Sequence, residues 1–269
     1  MQINREIITI ELDKLIDTIF QLPEVTAVKI RDVIMKREEE RTDKLEEAMR
    51  KSYHDCCSDV DLAVLVTLSP QDIVTDAEYM KRIDRFGINE ENSLGFYFVE
   101  GNNMYRIIMK NGMRYDFGFE FCYDENAEPV SFALKEEEYN HPNWFRDNVN
   151  RFWFMQLQAL GKLYRKDFLI GSHLANMNLN ETLVQQMVLR DMKYGTNHHR
   201  YGYEEDLTYL KYKGKCPVKS GNDTFDLIAD KLYSAALAYD ELTKVFYPEY
   251  ESRSENFFEI WKCYEENRK

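Results

Sequence analysis

The stretch Ser58-Asp59-Val60-Asp61-Leu62-Ala63-Val64-Leu65-Val66 decides how the chain is read. Val60, Leu62, Val64 and Val66 alternate with Asp59, Asp61 and Ala63, the period of a strand with one apolar face. The other face then carries both carboxylates, one strand repeat apart. Like charges so placed repel, and a divalent cation between them is one arrangement that favours them. A strand that merely begins with solvated aspartates is the alternative, and the weighing falls to the rest of the chain.

On the N-terminal side, Ile8, Leu12, Leu15, Ile16 and Ile19 recur at helical spacing and predict an amphipathic helix that stops near Leu22-Pro23. Val25 to Ile30 reads as a short strand. From Lys36 to Lys51 the chain is densely charged, with Glu40 and Lys44, Glu46 and Arg50, and Glu47 and Lys51 at i, i+4 in the favourable order. This run reads as one solvated helix face.

On the C-terminal side, Pro70 to Phe86 reads as helical or irregular, and the chain then turns to strands over Phe96 to Glu100, Met104 to Lys110 and Met113 to Phe121. Asn111-Gly112 joins the last two with the positive φ values of a tight hairpin. In the final run Tyr115, Phe117, Phe119 and Phe121 take one face; Arg114, Asp116, Gly118 and Glu120 take the other. Asp116 is thus a candidate third carboxylate, and Gly118 leaves room beside it. An ordinary polar position on a half-exposed sheet is the alternative.

Residues from Asp124 to Asn143 are charged, carry two of the six prolines, and read as a connection. Beyond Asp147 the period is helical. Phe152, Met155, Leu157 and Leu160 begin one helix, Leu183, Met187 and Arg190 belong to another, and Phe225 to Phe246 form a third. The expected fold class is α+β: a mixed sheet flanked by helices in residues 1–135, then a helical bundle in residues 136–269. His198-His199, with Tyr201-Gly202-Tyr203-Glu204-Glu205-Asp206 after it, is a candidate lining for a sugar pocket or an aromatic loop packed on the bundle.

Lys plus Arg number 35 and Asp plus Glu 48, a net charge of −13, which disfavours a nucleic-acid partner and suits a cationic small molecule. The five cysteines, at 56, 57, 122, 216 and 263, form no Cys-x-x-Cys pair and read as reduced thiols. No basic N-terminal region precedes an apolar run and no window approaches a membrane span, so the expectation is a cytoplasmic protein, monomer or homodimer.

Three aspartates on two neighbouring strands can hold two Mg²⁺ ions. Such a pair bridges nucleoside triphosphate oxygens, activates an acceptor hydroxyl and offsets charge on departing pyrophosphate. The order helix, short strand, Ser58-Asp59-Val60-Asp61-Leu62, then Tyr115-Asp116-Phe117 resembles the nucleotidyltransferase superfamily. Asn150-Arg151-Phe152-Trp153, Leu163-Tyr164-Arg165-Lys166-Asp167 and Tyr247-Pro248-Glu249-Tyr250 are similar to the C-terminal domain of aminoglycoside 6-adenylyltransferases, the streptomycin-modifying branch.

The resemblance implies Mg²⁺ ligation by Asp59 and Asp61, and Asp116 as a third ligand or as general base. It implies ATP as nucleotide donor, with Arg165 and Lys166 reaching its phosphates, a cationic aminoglycoside as acceptor, and a role in antibiotic resistance. A lincosamide nucleotidyltransferase is the sister possibility. Family members carry a Gly-Ser pair after the strand that precedes Asp-x-Asp; here that stretch reads Lys29-Ile30-Arg31-Asp32. Either Arg31 and Lys36 replace the lost phosphate contacts, or triphosphate binding has lapsed and only the fold is kept.

Overall fold

The computed structural model describes residues 4–70, 76–99, 102–130, 144–195 and 205–267. The chain divides into two compact units, Met1–Asn150 and Arg151–Lys269. The boundary expected between 135 and 136 lies outside the described residues, as do His198, His199 and 201–204. Among the described residues no helix is long and apolar enough to cross a membrane.

The first unit is an α+β layer built on a mixed six-stranded sheet of order β2-β1-β3-β6-β5-β4. Helix α1 (Arg5–Ile19) starts where the Asn4 carboxamide oxygen accepts the Ile7 N–H at 2.9 Å, and it buries Ile8, Leu12, Ile16 and Ile19. After β1 (Val25–Ile30) the chain reverses through Arg31-Asp32 into β2 (Val33–Lys36), pairing Ile30 with Val33. The charged run is therefore not one helix from Lys36: that residue ends a strand, and α2 spans only Thr42–Ser52. A two-residue hairpin demands left-handed backbone, usually supplied by Gly or Asn. Arg31 adopts it instead, at φ 52°, so no turn residue announces the reversal.

Basic residues of the run hold the layer together. Arg41 meets Asp13 at 2.6 Å and also Asp17, one turn apart on α1. Arg37 donates to the Leu22 and Val25 carbonyls. Lys51 reaches Glu47 at 2.7 Å, the expected i, i+4 pair, whereas Lys44 turns to Glu39 rather than to Glu40.

Strand β3 (Val60–Leu68) is central, antiparallel to β1 and parallel to β6 (Arg114–Tyr123). Val60, Leu62, Val64, Val66 and Leu68 are all buried, the alternation read from the sequence. Between β3 and β6 lie α3 (Asp76–Lys81), a 3-10 turn over Ile83–Phe86, β4 (Ser93–Val99) and β5 (Met104–Met109). The loop from β5 to β6 takes its positive φ at Gly112 alone, 83°, while the Asn111 carboxamide oxygen accepts the Met113 N–H at 3.1 Å.

Tyr115, Phe117, Phe119 and Phe121 lie on the face of β6 that α1, α3 and the 3-10 turn cover. Phe86 meets Phe117 and Phe119 edge-on, with ring centroids 5.3 and 5.4 Å apart, and Tyr79 of α3 meets Phe119 and Phe121. Burial, with Glu11 of α1 nearby, pushes the Tyr115 phenol far above its ordinary pKa. Each aromatic or branched side chain so buried contributes roughly 1.5–3 kcal/mol. Layering helices on this face leaves the opposite face of the sheet half-exposed.

The second unit carries the rest of α4 (Trp144–Tyr164), then α5 (Phe168–Tyr194), a 3-10 turn at Thr208–Lys211, α6 (Asp223–Phe246) and α7 (Ser254–Glu266). Phe152 stacks on Tyr239 with centroids 3.6 Å apart, and Gly171 brings α5 close to α4. A buried polar set fixes helix register: Asn178 donates to the Gln156 carboxamide oxygen at 2.9 Å and Gln156 donates to the Leu232 carbonyl at 3.0 Å. The helical C-terminal half expected from the sequence is present.

Candidate active site on the half-exposed face of the sheet

The parallel register of β3 and β6 sets the site. Asp61 is the cross-strand partner of Asp116, and Ala63 of Gly118. Partners in a sheet share a face, so both aspartates project from the side opposite the aromatic core. Asp59, two residues before Asp61, lies on that side just ahead of the strand. The three carboxylates differ in exposure: the Asp59 and Asp61 side chains are 46% and 56% exposed, Asp116 only 18%.

Each faces a guanidinium. Arg114 Nη2 is 3.9 Å from Asp59, Arg31 Nη2 is 3.7 Å from Asp61, and Arg106 Nε is 3.7 Å from Asp116. These are ion-pair distances, longer than hydrogen bonds. Burial raises the Asp116 carboxyl above the ordinary aspartate range; repulsion from Asp59 and Asp61 adds to this, and Arg106 and Arg114 oppose it. Its proton affinity thus reports both its burial and the crowding of negative charge around it.

Hard carboxylate oxygens are the donors Mg²⁺ prefers. None of the three aspartate side chains accepts a hydrogen bond from the described residues, so their lone pairs are uncommitted. Among the described residues no three His, Cys, Asp or Glu side chains are already gathered into a ligand set. Gly118 leaves the sheet surface bare next to Asp116: a β-carbon there meets only the Leu62 carbonyl oxygen at 3.9 Å and Met104 Cβ at 4.0 Å, ordinary contacts. Packing therefore does not require glycine, whereas an uncluttered surface between Ala63 and Asp116 does.

Other sequence-predicted residues sit elsewhere. Lys36 shares this face through its partner Ala27, but Ala27 is level with Leu65, four residues along the sheet from Asp61, roughly 13 Å. Arg165 and Lys166 are exposed in the second unit, at the turn from α4 to α5, where Lys166 takes a left-handed backbone at φ 59°. The Leu163-to-Asp167 segment thus makes a helix–helix corner, with the Asp167 side chain capping α5. Cys57 is buried and Cys56 partly so, just before the aspartate strand.

Arg106 and Arg114 were not singled out by sequence reasoning. Arg114 was visible as the residue two before Asp116 on the same face. Arg106 could have been found by folding β5 and β6 about Gly112, because the hairpin pairs Arg106 with Asp116.

The motifs behind the family resemblance in the second half also have a structural use. Trp153 Nε1 donates to the Tyr250 hydroxyl at 2.8 Å, and Tyr250 donates to Asp240 at 2.8 Å. Burial first, and then the Asp240 carboxylate, holds the Tyr250 phenol well above its ordinary pKa and therefore neutral. No family model matches the chain, and no curated protein matches it.

Proposed function

We propose that the chain is a metal-dependent nucleotidyltransferase of the aminoglycoside 6-adenylyltransferase type, transferring AMP from ATP to a hydroxyl of a cationic, streptomycin-like acceptor. One observation carries this reading: three aspartates on or just ahead of adjacent strands share one face of the sheet, and among the described residues none of them accepts a hydrogen bond. Asp116 is the costly member, only 18% exposed and held by an ion pair at 3.7 Å rather than by a hydrogen bond, and a bound cation would offset that cost.

In this reading Asp59 and Asp61 hold Mg²⁺, and Asp116 completes the set or takes the acceptor's proton. Held there, Mg²⁺ would supply positive charge against the triphosphate and would make the acceptor hydroxyl easier to deprotonate. In the metal-free protein burial holds the Asp116 carboxyl above the ordinary aspartate range, the direction a general base requires. The acceptor oxygen bonds to the α-phosphorus as the bond to pyrophosphate breaks, and its proton passes to Asp116 or, where Asp116 instead completes the ligand set, to water. The net charge of −13 favours a polycationic acceptor over a polyanion.

A second reading keeps the fold without catalysis. It is favoured by the hairpin Arg31-Asp32 standing where the family's Gly-Ser pair would cradle phosphate, and by the guanidinium opposite each aspartate. Pyrophosphate release with Mg²⁺, ATP and streptomycin separates the two. Release that Asp59→Asn abolishes without changing the circular dichroism spectrum supports the enzyme. No release with any aminoglycoside or lincosamide, together with no triphosphate binding by calorimetry, establishes the second reading. Release only with a lincosamide moves the acceptor to the sister class.

A further inference from the structure

A single cross-strand row holds two guanidiniums beside the carboxylates. Ile30 pairs with Leu62, so Arg31 follows beside Asp61, and the Arg31 N–H reaches the Asp61 carbonyl at 3.4 Å. Asp61 pairs with Asp116 and Asp116 with Arg106. The row reads Arg, Asp, Asp, Arg, the first from the turn after β1 and the others from β3, β6 and β5, and the next row has Ala63 and Gly118 at its centre.

Arg106 is poorly explained as a structural counterion. Its closest approach to Asp116 is 3.7 Å, through Nε, and that Nε is buried without a hydrogen-bond acceptor among the described residues. A guanidinium placed to stabilise the sheet would close on its carboxylate as a two-pronged pair. This one stops short, with donors unspent and the bare surface of Gly118 beside it.

We propose that Arg106 is a phosphate-binding residue. In the metal-free protein it neutralises Asp116; when Asp116 is committed to a divalent cation, the guanidinium is released and turns to the phosphate oxygens of the nucleotide. Arg31, at the other end of the row and 3.7 Å from Asp61, makes the matching exchange. The physical basis is competition: two cations cannot share one half-buried carboxylate without repelling, and a phosphate offers the planar fork of arginine the oxygens it lacks. Side chains would then do the work that small residues and backbone N–H groups do in a Gly-Ser cradle. The assignment rests on the nucleotidyltransferase reading.

The test is calorimetric titration of the full chain with Mn²⁺ alone and then with ATP in saturating Mn²⁺, for the wild type, Arg106→Met, Arg106→Lys and Asp116→Asn. Arg106→Met removes a competitor for Asp116, so Mn²⁺ binds about threefold more tightly. The same variant binds ATP about tenfold more weakly, having lost a charge-assisted contact. Shifts of opposite sign do not arise from general loosening of the sheet. Arg106→Lys keeps the charge but not the fork, so its Mn²⁺ affinity stays near wild type and only part of the ATP affinity returns. Asp116→Asn weakens Mn²⁺ binding. If the wild type binds both ligands and Arg106→Met leaves ATP affinity unchanged, or moves both affinities together, the assignment is wrong while the nucleotidyltransferase reading stands. A wild type that binds neither ligand overturns both.

Discussion

Asp116 shows how a candidate site residue can weaken the fold that carries it. Its carboxyl is raised above the ordinary range, chiefly by burial, so the native state holds its proton over a pH window in which the unfolded chain has lost it. Stability therefore falls as pH rises from the ordinary aspartate pKa through the raised one, and this contribution is flat above it. Asp116→Asn removes a desolvated charge, so at pH 7 the metal-free variant should melt at a higher temperature than the wild type while gaining less stabilisation from Mg²⁺. Differential scanning fluorimetry with and without Mg²⁺ measures both. If Asp116 is the base, turnover falls on the acid side as its carboxyl takes up a proton, and a flat acid limb in a pH–rate profile would remove that role. Gly118 makes a complementary case. An added β-carbon meets only ordinary contacts there and valine suits a strand better than glycine, so Gly118→Val should fold at least as stably as the wild type. It should nonetheless bind nucleotide more weakly, because the branched side chain covers the surface beside Asp116.

At the scale of elements, Asp240 on α6 does for α7 what that helix does not do for itself. The residue preceding α7, Arg253, makes no side-chain cap. The Asp240 carboxylate instead accepts from the Ser254 hydroxyl at 2.7 Å, from the Arg253 and Ser254 N–H groups at 3.2 and 3.3 Å, and from Ser252 and Tyr250. Asp240→Ala strands several buried donors at once, and urea unfolding should show a loss of about 3 kcal/mol or more. Asn222→Ala removes only the single cap of α6, whose oxygen accepts the Phe225 N–H at 3.0 Å, and should cost about 1 kcal/mol. The contrast between the two measures what a shared cap adds over a local one. At Gly171 an added β-carbon would sit 3.5 Å from the Leu163 nitrogen and 3.6 Å from Lys162 Cβ. Alanine is accommodated there and gains helix propensity, whereas leucine must push α5 off α4 and should cost about 1–3 kcal/mol.

At the scale of the whole molecule, the charge of −13 acts at long range, and salt screens it over about 10 Å at 0.1 M. In the proposed function the acceptor is cationic and the donor anionic. Raising ionic strength should therefore raise KM for the aminoglycoside and leave KM for ATP less affected, because under the same proposal ATP would be met by local guanidiniums; steady-state kinetics across a salt series reads this directly. Equal dependence on salt for both substrates would count against a long-range role for the protein's field.

Local pattern carried a large part of the architecture. The alternation from Val60 to Val66 and from Tyr115 to Phe121 predicts both central strands and their buried faces, because a period of two needs no partner to be recognised. The helical stretches were legible for the same reason, and Asn111-Gly112 placed the hairpin before β6. Strand β2 was not legible, since its turn is made by Arg31 and Asp32 inside a run of charge and its left-handed backbone is held by pairing with neighbours. Register was decided only in three dimensions. Which residue of β6 lies against Asp61 depends on hydrogen bonding between segments more than fifty residues apart, and that pairing brings Asp116 beside Asp61 and sets an arginine opposite each carboxylate. The sequence by itself determined which side chains each strand presents on each face; the tertiary structure decided which of them meet, because the energy that selects a register belongs to the sheet as a whole and to no single strand.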